Sequence, residues 1–299
     1  MPVYVKDGGV WRTIDRVYVR DATSFTNKTV NNVYIKDGGS WREVFIIYNT
    51  TSFSTTTGTV LVPSLANAIH VQYAIGGGSG GYRGADYDKA GGESAGPGGA
   101  SGAYISDMVF NITGGETLTI NVGSGGAAGT GTYSGNSGTG GNTSISGTSS
   151  GPIFTLGGGG AVSVSGGGVQ GPLRTNNAST GGTRTITATP RTSGTTVDGL
   201  NITSFQSGPR GAFNQQGDGT AGANPGNCSG DNCTIGGGDG GDPYGGSVTT
   251  GGTGGANGNV AGTAGTRGGG GGGGGTEPGS SLGGAGGAGE INYRFMRIA

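Results

Sequence analysis

His70 is the only imidazole in the 299-residue chain, so any histidine-based proton transfer or nucleophile activation would have to run through it. Its setting, AIHVQYAI, reads as a strand, and no serine elbow or paired carboxylates point to it. Packing is the expected role. Cys228 and Cys233, in NCSGDNC, are close enough for a disulfide, two free thiols fit equally well, and a zinc site lacks two further ligands. GGDGGDPY at 237–244 fits the calcium-binding nonapeptide pattern once, with Asp239 and Asp242 as its ligands, but that pattern works by stacking tandem copies that share the ion. Strings of the form G-x-G-x-x-G recur, as 77 glycines ensure, yet none opens a helix after a strand and no Gly-Lys-Ser/Thr element follows. The expectation is a protein that is not an enzyme and has no metal or cofactor. A polysaccharide-cleaving enzyme would need a paired acidic cleft, which the scarce carboxylates do not announce.

Larger side chains stand as islands between glycine tracts. They are Tyr82, Arg83, Tyr87 and Lys89; Arg174; Phe205, Arg210 and Phe213; and Tyr244. Rigid aromatic rings with adaptable polar neighbours suit reversible recognition of a surface glycan or protein. Solvated loops and contacts to another subunit are the plainer alternatives.

Few elements are available to position such islands. Hydrophobic residues make up only 30% of the chain and charged residues 11%, so a leucine- and isoleucine-fed core throughout is excluded. Each glycine ordered on folding costs roughly 0.5–1 kcal/mol more than alanine. A folded state must therefore be held by dense backbone hydrogen bonding and close backbone packing. The tracts at 76–81, 91–102, 123–141, 157–168, 236–257 and 283–289, with eight consecutive glycines at 268–275, can do this as packed polyglycine II-like helices that bond to one another sideways. Collagen is the rival, but its three-residue period lapses in stretches such as GPRGAFNQQGDG. Sixteen basic and seventeen acidic residues give no footprint for nucleic acid, and the apolar runs are too short for membrane insertion. A soluble protein without a cleavable export signal is expected.

The fold class expected is all-β, with a small N-terminal β-hairpin repeat module and a glycine-rich β-sandwich. VYVKDGGVWR at 3–12 is repeated as VYIKDGGSWR at 33–42, and VYVRD at 17–21 begins a third copy. Each copy is a β-prone triplet, a turn signal and a return strand. Tyr4, Trp11, Tyr18, Tyr34 and Trp41 hold fixed places in these hairpins, as core rings or as ligand-stacking rings. The module is expected over 1–47 and a linker, or the start of a strand, over 48–58. The glycine-rich β domain follows over 59–299, its strands at 59–63, 68–75, 103–112, 116–122, 143–145, 153–156, 161–164 and 290–298, with an expanded glycine region at about 166–289.

Within 59–165 the order of TVLVPSLANAIHVQYAIGGGSGG, GGASGAYISDMVFNITGGETLTINVGSGGAAG, GGNTSISG and FTLGGGGA resembles the glycine-rich domain of bacteriophage tail proteins. The hairpin units look like short Trp-containing repeats of phage virion proteins, and 166–289 is similar in composition to tail-fibre adhesins that display loops on polyglycine helices. The resemblance implies a tail fibre or tail-tip adhesin, assembled in the host cytoplasm and resident in the virion tail. Its N-terminal rings would attach to other tail proteins, and its islands would meet a host-surface receptor. The alternative is a purely structural tail-tip, collar or capsid-decorating subunit. A homo-oligomer fits either, although no heptad is present.

Overall fold

In a computed structural model the chain divides into two units, 1–46 and 47–298. The residues described are the strands between 3 and 44, most of 47–190 and 237–296, and two short strands between 191 and 236. Within those spans, 54–56, 65, 84–94, 131–134, 166–174, 178, 243–250, 256–259 and 276–281 are excepted. Among the described residues there is no helix, and hence none long and apolar enough to cross a membrane.

The repeated sequence makes a repeated structure. β1 (Val3–Asp7) pairs antiparallel with β2 (Val10–Ile14) from Val3↔Ile14 to Asp7↔Val10, leaving Gly8 and Gly9 between the paired ends. β5 (Val33–Asp37) and β6 (Ser40–Val44) reproduce this register from Val33↔Val44 to Asp37↔Ser40. The degenerate copy also closes, as β3 (Tyr18–Asp21) with β4 (Ser24–Asn27). A two-residue spacing between paired ends is the commonest in hairpins; it is Gly-Gly in the two full copies and Ala22-Thr23 in the third.

The second unit begins in the segment read either as a linker or as the start of a strand. Residues 47–53, read in part as linker, are strand β7 (Ile47–Phe53), whose partner β20 (Glu290–Met296) comes from the other end of the chain. Together with β9 (Ala68–Ile75) and β10 (Tyr104–Asn111) they form an antiparallel sheet in the order β10-β9-β20-β7. A second antiparallel sheet has the order β17-β14-β13-β11-β8, from β8 (Gly58–Leu61), β11 (Thr117–Asn121), β13 (Thr143–Gly147), β14 (Gly151–Leu156) and β17 (Arg184–Ile186). Alternation explains its inner face: Leu118 and Ile120 are buried on β11 while Thr117, Thr119 and Asn121 are half-buried. Ile69, Val71, Ile105, Phe110, Tyr293 and Phe295 of the first sheet share one apolar cluster with Leu118, Ile120, Ile145, Phe154 and Leu156 of the second. The Phe110 and Phe154 rings lie 5.9 Å apart across it. Smaller pairings are β12 (Gly135–Asn136) with β15 (Ser163–Ser165), β15 with β16 (Thr175–Asn177), and β18 (Thr196–Val197) with β19 (Leu200–Asn201).

The glycine tracts run on from these strands and bond to one another with a three-residue period. In 76–82, which continues β9, the N–H groups of Gly77 and Gly80 donate to Gly141 and Gly138, those of Gly78 and Gly81 to Gly287 and Gly284, and those of Ser79 and Tyr82 to Ala100 and Pro97. Its carbonyls accept from Gly126 and Gly129, from Gly271 and Gly274, and from Gly159. Six tracts therefore surround it. The eight-glycine run is surrounded in the same way, donating to 238–241, 79–82 and 260–263 and accepting from 96–102, 284–287 and 252–255. In the eight-glycine run, neighbouring backbone occupies the place a side chain would take: a Cβ would stand 2.1 Å from Gly284 O at Gly271, 2.0 Å from Thr253 O at Gly272 and 1.8 Å from Gly96 O at Gly273. Peripheral tracts need glycine only on their inner side. Gly123, Gly126 and Gly129 are buried, whereas Ser124, Ala127 and Thr130 are exposed.

Candidate binding surface

The tracts have two ends, one at the sheets and one remote from them. Tract 76–82 leaves β9 and reaches the remote end at Tyr82–Arg83, and 95–103 returns from there to β10. The residues flanking 131–134 (Thr130 and Gly135), 166–174 (Ser165 and Thr175), 256–259 (Gly255 and Val260) and 276–281 (Gly275 and Leu282) also lie at the remote end. The bonds Gly129 N–H to Gly81 O, Gly274 N–H to Tyr82 O, Gly255 N–H to Gly273 O, Gly275 N–H to Val260 O and Gly262 N–H to Leu282 O place three of these pairs there, and the pairings Gly135↔Val164 and Ser165↔Thr175 place the flanks of 166–174. Gly237, which follows 202–236, is level with them through its bond to Gly255 O. Asp242 and Gly251, the flanks of 243–250, are at the other end, where Gly240 bonds to Gly252 and Gly241 to Gly99.

This geometry sorts the sequence candidates. Tyr82 is not a displayed ring: its side chain is fully buried, clustered with Val162 and laid on Gly129. An aromatic at the edge of a glycine tract reads as exposed only until neighbouring tracts close over it. Arg83, half-buried, donates from Nη1 to Thr130 O at 3.4 Å. Tyr87, Lys89, Arg174, Phe205, Arg210, Phe213 and Tyr244, with Cys228 and Cys233, lie outside the described residues. Tyr4, Trp11, Tyr18, Tyr34 and Trp41 fall on β1, β2, β3, β5 and β6, with Trp11 opposite Lys6 and Trp41 opposite Lys36 in equivalent register.

Two chemistries weighed from the sequence take structural form. His70 is fully buried, and its Nδ1 accepts from Arg294 Nε at 2.9 Å. Asp239 is exposed, and its Oδ1 accepts from Gly254 N–H at 2.7 Å, tying adjacent tracts. Among the described residues no three His, Cys, Asp or Glu side chains come together.

Polar residues that composition did not single out hold the platform. Glu116 is buried where three turns meet and accepts from the N–H groups of Thr113 (2.6 Å), Ser149 (3.0 Å) and Ser150 (2.9 Å) and from the Ser150 hydroxyl. Burial pushes its carboxyl up, but the Ser150 hydroxyl and the three N–H donors outweigh this and hold it below the ordinary value. Thr143 joins sheet to tracts, its hydroxyl donating to Ile75 O at 2.7 Å and accepting from Gly123 N–H at 3.0 Å. At the turn between 260–266 and 268–275 Arg267 has φ 45° and Gly268 φ 77°, closed by a 2.8 Å bond from Gly269 N–H to Thr266 O. Glu290 anchors that turn, 3.3 Å from Arg267 Nε and 2.6 Å from the Tyr73 hydroxyl. The signal in the sequence was GGETLTI, whose glutamate follows a glycine with φ 80°.

No curated protein matches the chain significantly. Residues 51–296 match a glycine-rich domain, a span that takes in every tract described above, the second sheet and all of the first but the start of β7. By that match the chain belongs to the glycine-rich domain family.

Proposed function

We propose that this is a bacteriophage virion tail protein, a tail-fibre or tail-tip adhesin. In this reading its hairpin module attaches to other tail proteins, and its glycine-rich unit presents loops to a glycan or protein on the host surface. The tracts act as polyglycine II helices, about 3.1 Å per residue and therefore roughly 25 Å for the eight-glycine run, standing on a β-sandwich. The three-residue period of the hydrogen bonds supports the helical reading, and the cluster shared by the two sheets supports the sandwich.

The observation that carries the display role is the convergence of the flanks of 84–94, 131–134, 166–174, 256–259 and 276–281 at the end remote from the sheets. Segments rooted in backbone that cannot shift enter a complex with less freedom to lose, which favours binding without a deep pocket. The test is particle adsorption to host cells with Tyr87→Ala and Phe213→Ala combined. Intact particles that no longer adsorb are expected; normal adsorption refutes the assignment.

A structural virion subunit is the second reading, favoured by Val260 and Leu282, both about half exposed on adjacent tracts at the same end. Under it the same variant would disturb particle assembly and leave adsorption of assembled particles unchanged.

A further inference from the structure

Tyr82 is the only aromatic residue in the described tracts, and it is fully buried. Its ring does not point into its own tract's surroundings alone. A Cβ at Gly129 would lie 2.2 Å from Tyr82 Cδ2 and 2.7 Å from Cε2, so the ring rests directly on that glycine; a Cβ at Gly135 would lie 3.0 Å from the Tyr82 hydroxyl oxygen. Gly129 and Gly135 bracket 131–134. The ring also clusters with Val162, whose N–H donates to Ser137 Oγ at 2.9 Å and whose carbonyl accepts from Ser137 N–H at 3.0 Å. The backbone of Tyr82 is at the same time the root of 84–94: its N–H donates to Pro97 O at 2.9 Å and its carbonyl accepts from Gly274 N–H at 3.0 Å. One side chain thus fixes the spacing between the places where three tracts leave the packed region. Glycine at 129 is what lets it do so, because any Cβ there would displace the ring.

We infer that Tyr82 is a positioning residue: without touching a ligand, it sets the relative placement of the roots of 84–94 and 131–134 and thereby the surface that binds. The effect on binding rests on the display reading above; the effect on the roots does not. The chemistry is steric. A flat, stiff ring with few rotamers spans a gap that glycine tracts, having no side chains, cannot fill.

The test uses the full chain, with hydrogen–deuterium exchange followed over 123–130, 135–142, 268–275 and 117–121, and adsorption measured on particles carrying the same substitutions. Tyr82→Ala removes the ring, and exchange over 126–130 and 135–138 should rise by about 100-fold or more, as for truncation of a buried aromatic, while 268–275 and 117–121 keep their protection. Tyr82→Phe retains the ring and should stay far closer to the wild type than Tyr82→Ala in both measurements. Tyr82→Ala particles should adsorb poorly although position 82 is inaccessible to a receptor. Unchanged exchange over 126–130 and 135–138 overturns the inference, and so does a rise spread equally over all four segments, which would make Tyr82 a general core residue. A local rise with normal adsorption supports the positioning role and overturns the display reading instead.

Discussion

Adding one methyl group to the centre of the tract bundle tests the physical basis of the whole architecture. In Gly273→Ala the new Cβ would stand 1.8 Å from Gly96 O and 2.4 Å from Gly96 C, backbone atoms with no side chain to swing away. Reaching even 3.0 Å requires the two tracts to separate by more than 1 Å. The bonds at stake are Gly273 N–H to Gly238 O (2.8 Å), Gly255 N–H to Gly273 O (2.8 Å) and Gly96 N–H to Gly274 O (2.7 Å). Each buried group left unpaired costs about 1–3 kcal/mol, and overpacking adds about 1–3 kcal/mol. Stiffening the unfolded chain returns roughly 0.4–1 kcal/mol, so a net loss of about 4 kcal/mol is expected. The control is Gly115→Ala, where φ is 80° but nothing lies within 4 Å of the new atom, and only the left-handed backbone is penalised. That costs about 1–2 kcal/mol. In calorimetry, at roughly 2–4 °C per kcal/mol for a unit of this size, Gly273→Ala should melt about 8–16 °C below the wild type and Gly115→Ala about 2–8 °C below. If Gly273→Ala is no worse than Gly115→Ala, close backbone contact is not what holds the tracts.

Acid should weaken the second unit through Glu116. Its folded-state carboxyl is held below the ordinary value of 4.5, so its contribution is full above that value and is lost as pH falls through the folded value. Glu116→Gln should lower stability at pH 7 by about 1.5–3 kcal/mol, the range for hydrogen bonds to a charged acceptor. The two denaturation midpoints should converge as pH falls below 4.5 and through the folded value; parallel curves would refute the role. At Arg267, with φ 45°, the usual order of glycine and alanine should invert. Arg267→Gly should exceed Arg267→Ala in stability by about 1 kcal/mol, because alanine keeps the left-handed strain and both lose the ion pair to Glu290. Urea midpoints decide this, and equal midpoints for the two variants would count against a strained turn.

Much of the local structure was legible from residue order. VYVKDGGVWR and its copies carry turn signals that set their own registers, and alternation in TLTIN assigns Leu118 and Ile120 to the core, because a hairpin or a half-buried strand is specified by neighbours a few residues away. The residues 48–53 were harder. NTTSF has no apolar alternation, and it becomes a strand because β20, more than two hundred residues later, offers its edge. Tyr82 read as a surface ring for the same reason: its burial depends on Gly129, Gly135 and Val162, none of them near it in sequence.

The sequence by itself determined that backbone must touch backbone, since only glycine at every position of 268–275 permits neighbours on all sides, while glycine at every third position of 123–130 permits them on one. Which tracts touch was decided by tertiary structure alone. A glycine run makes no hydrogen bonds within itself in an extended three-residue helix and has no side chains to select a partner. A tract that continues a strand, as 76–82 continues β9, takes its register from it, whereas 268–275 follows the turn at Arg267 and takes its place from the tracts it bonds to.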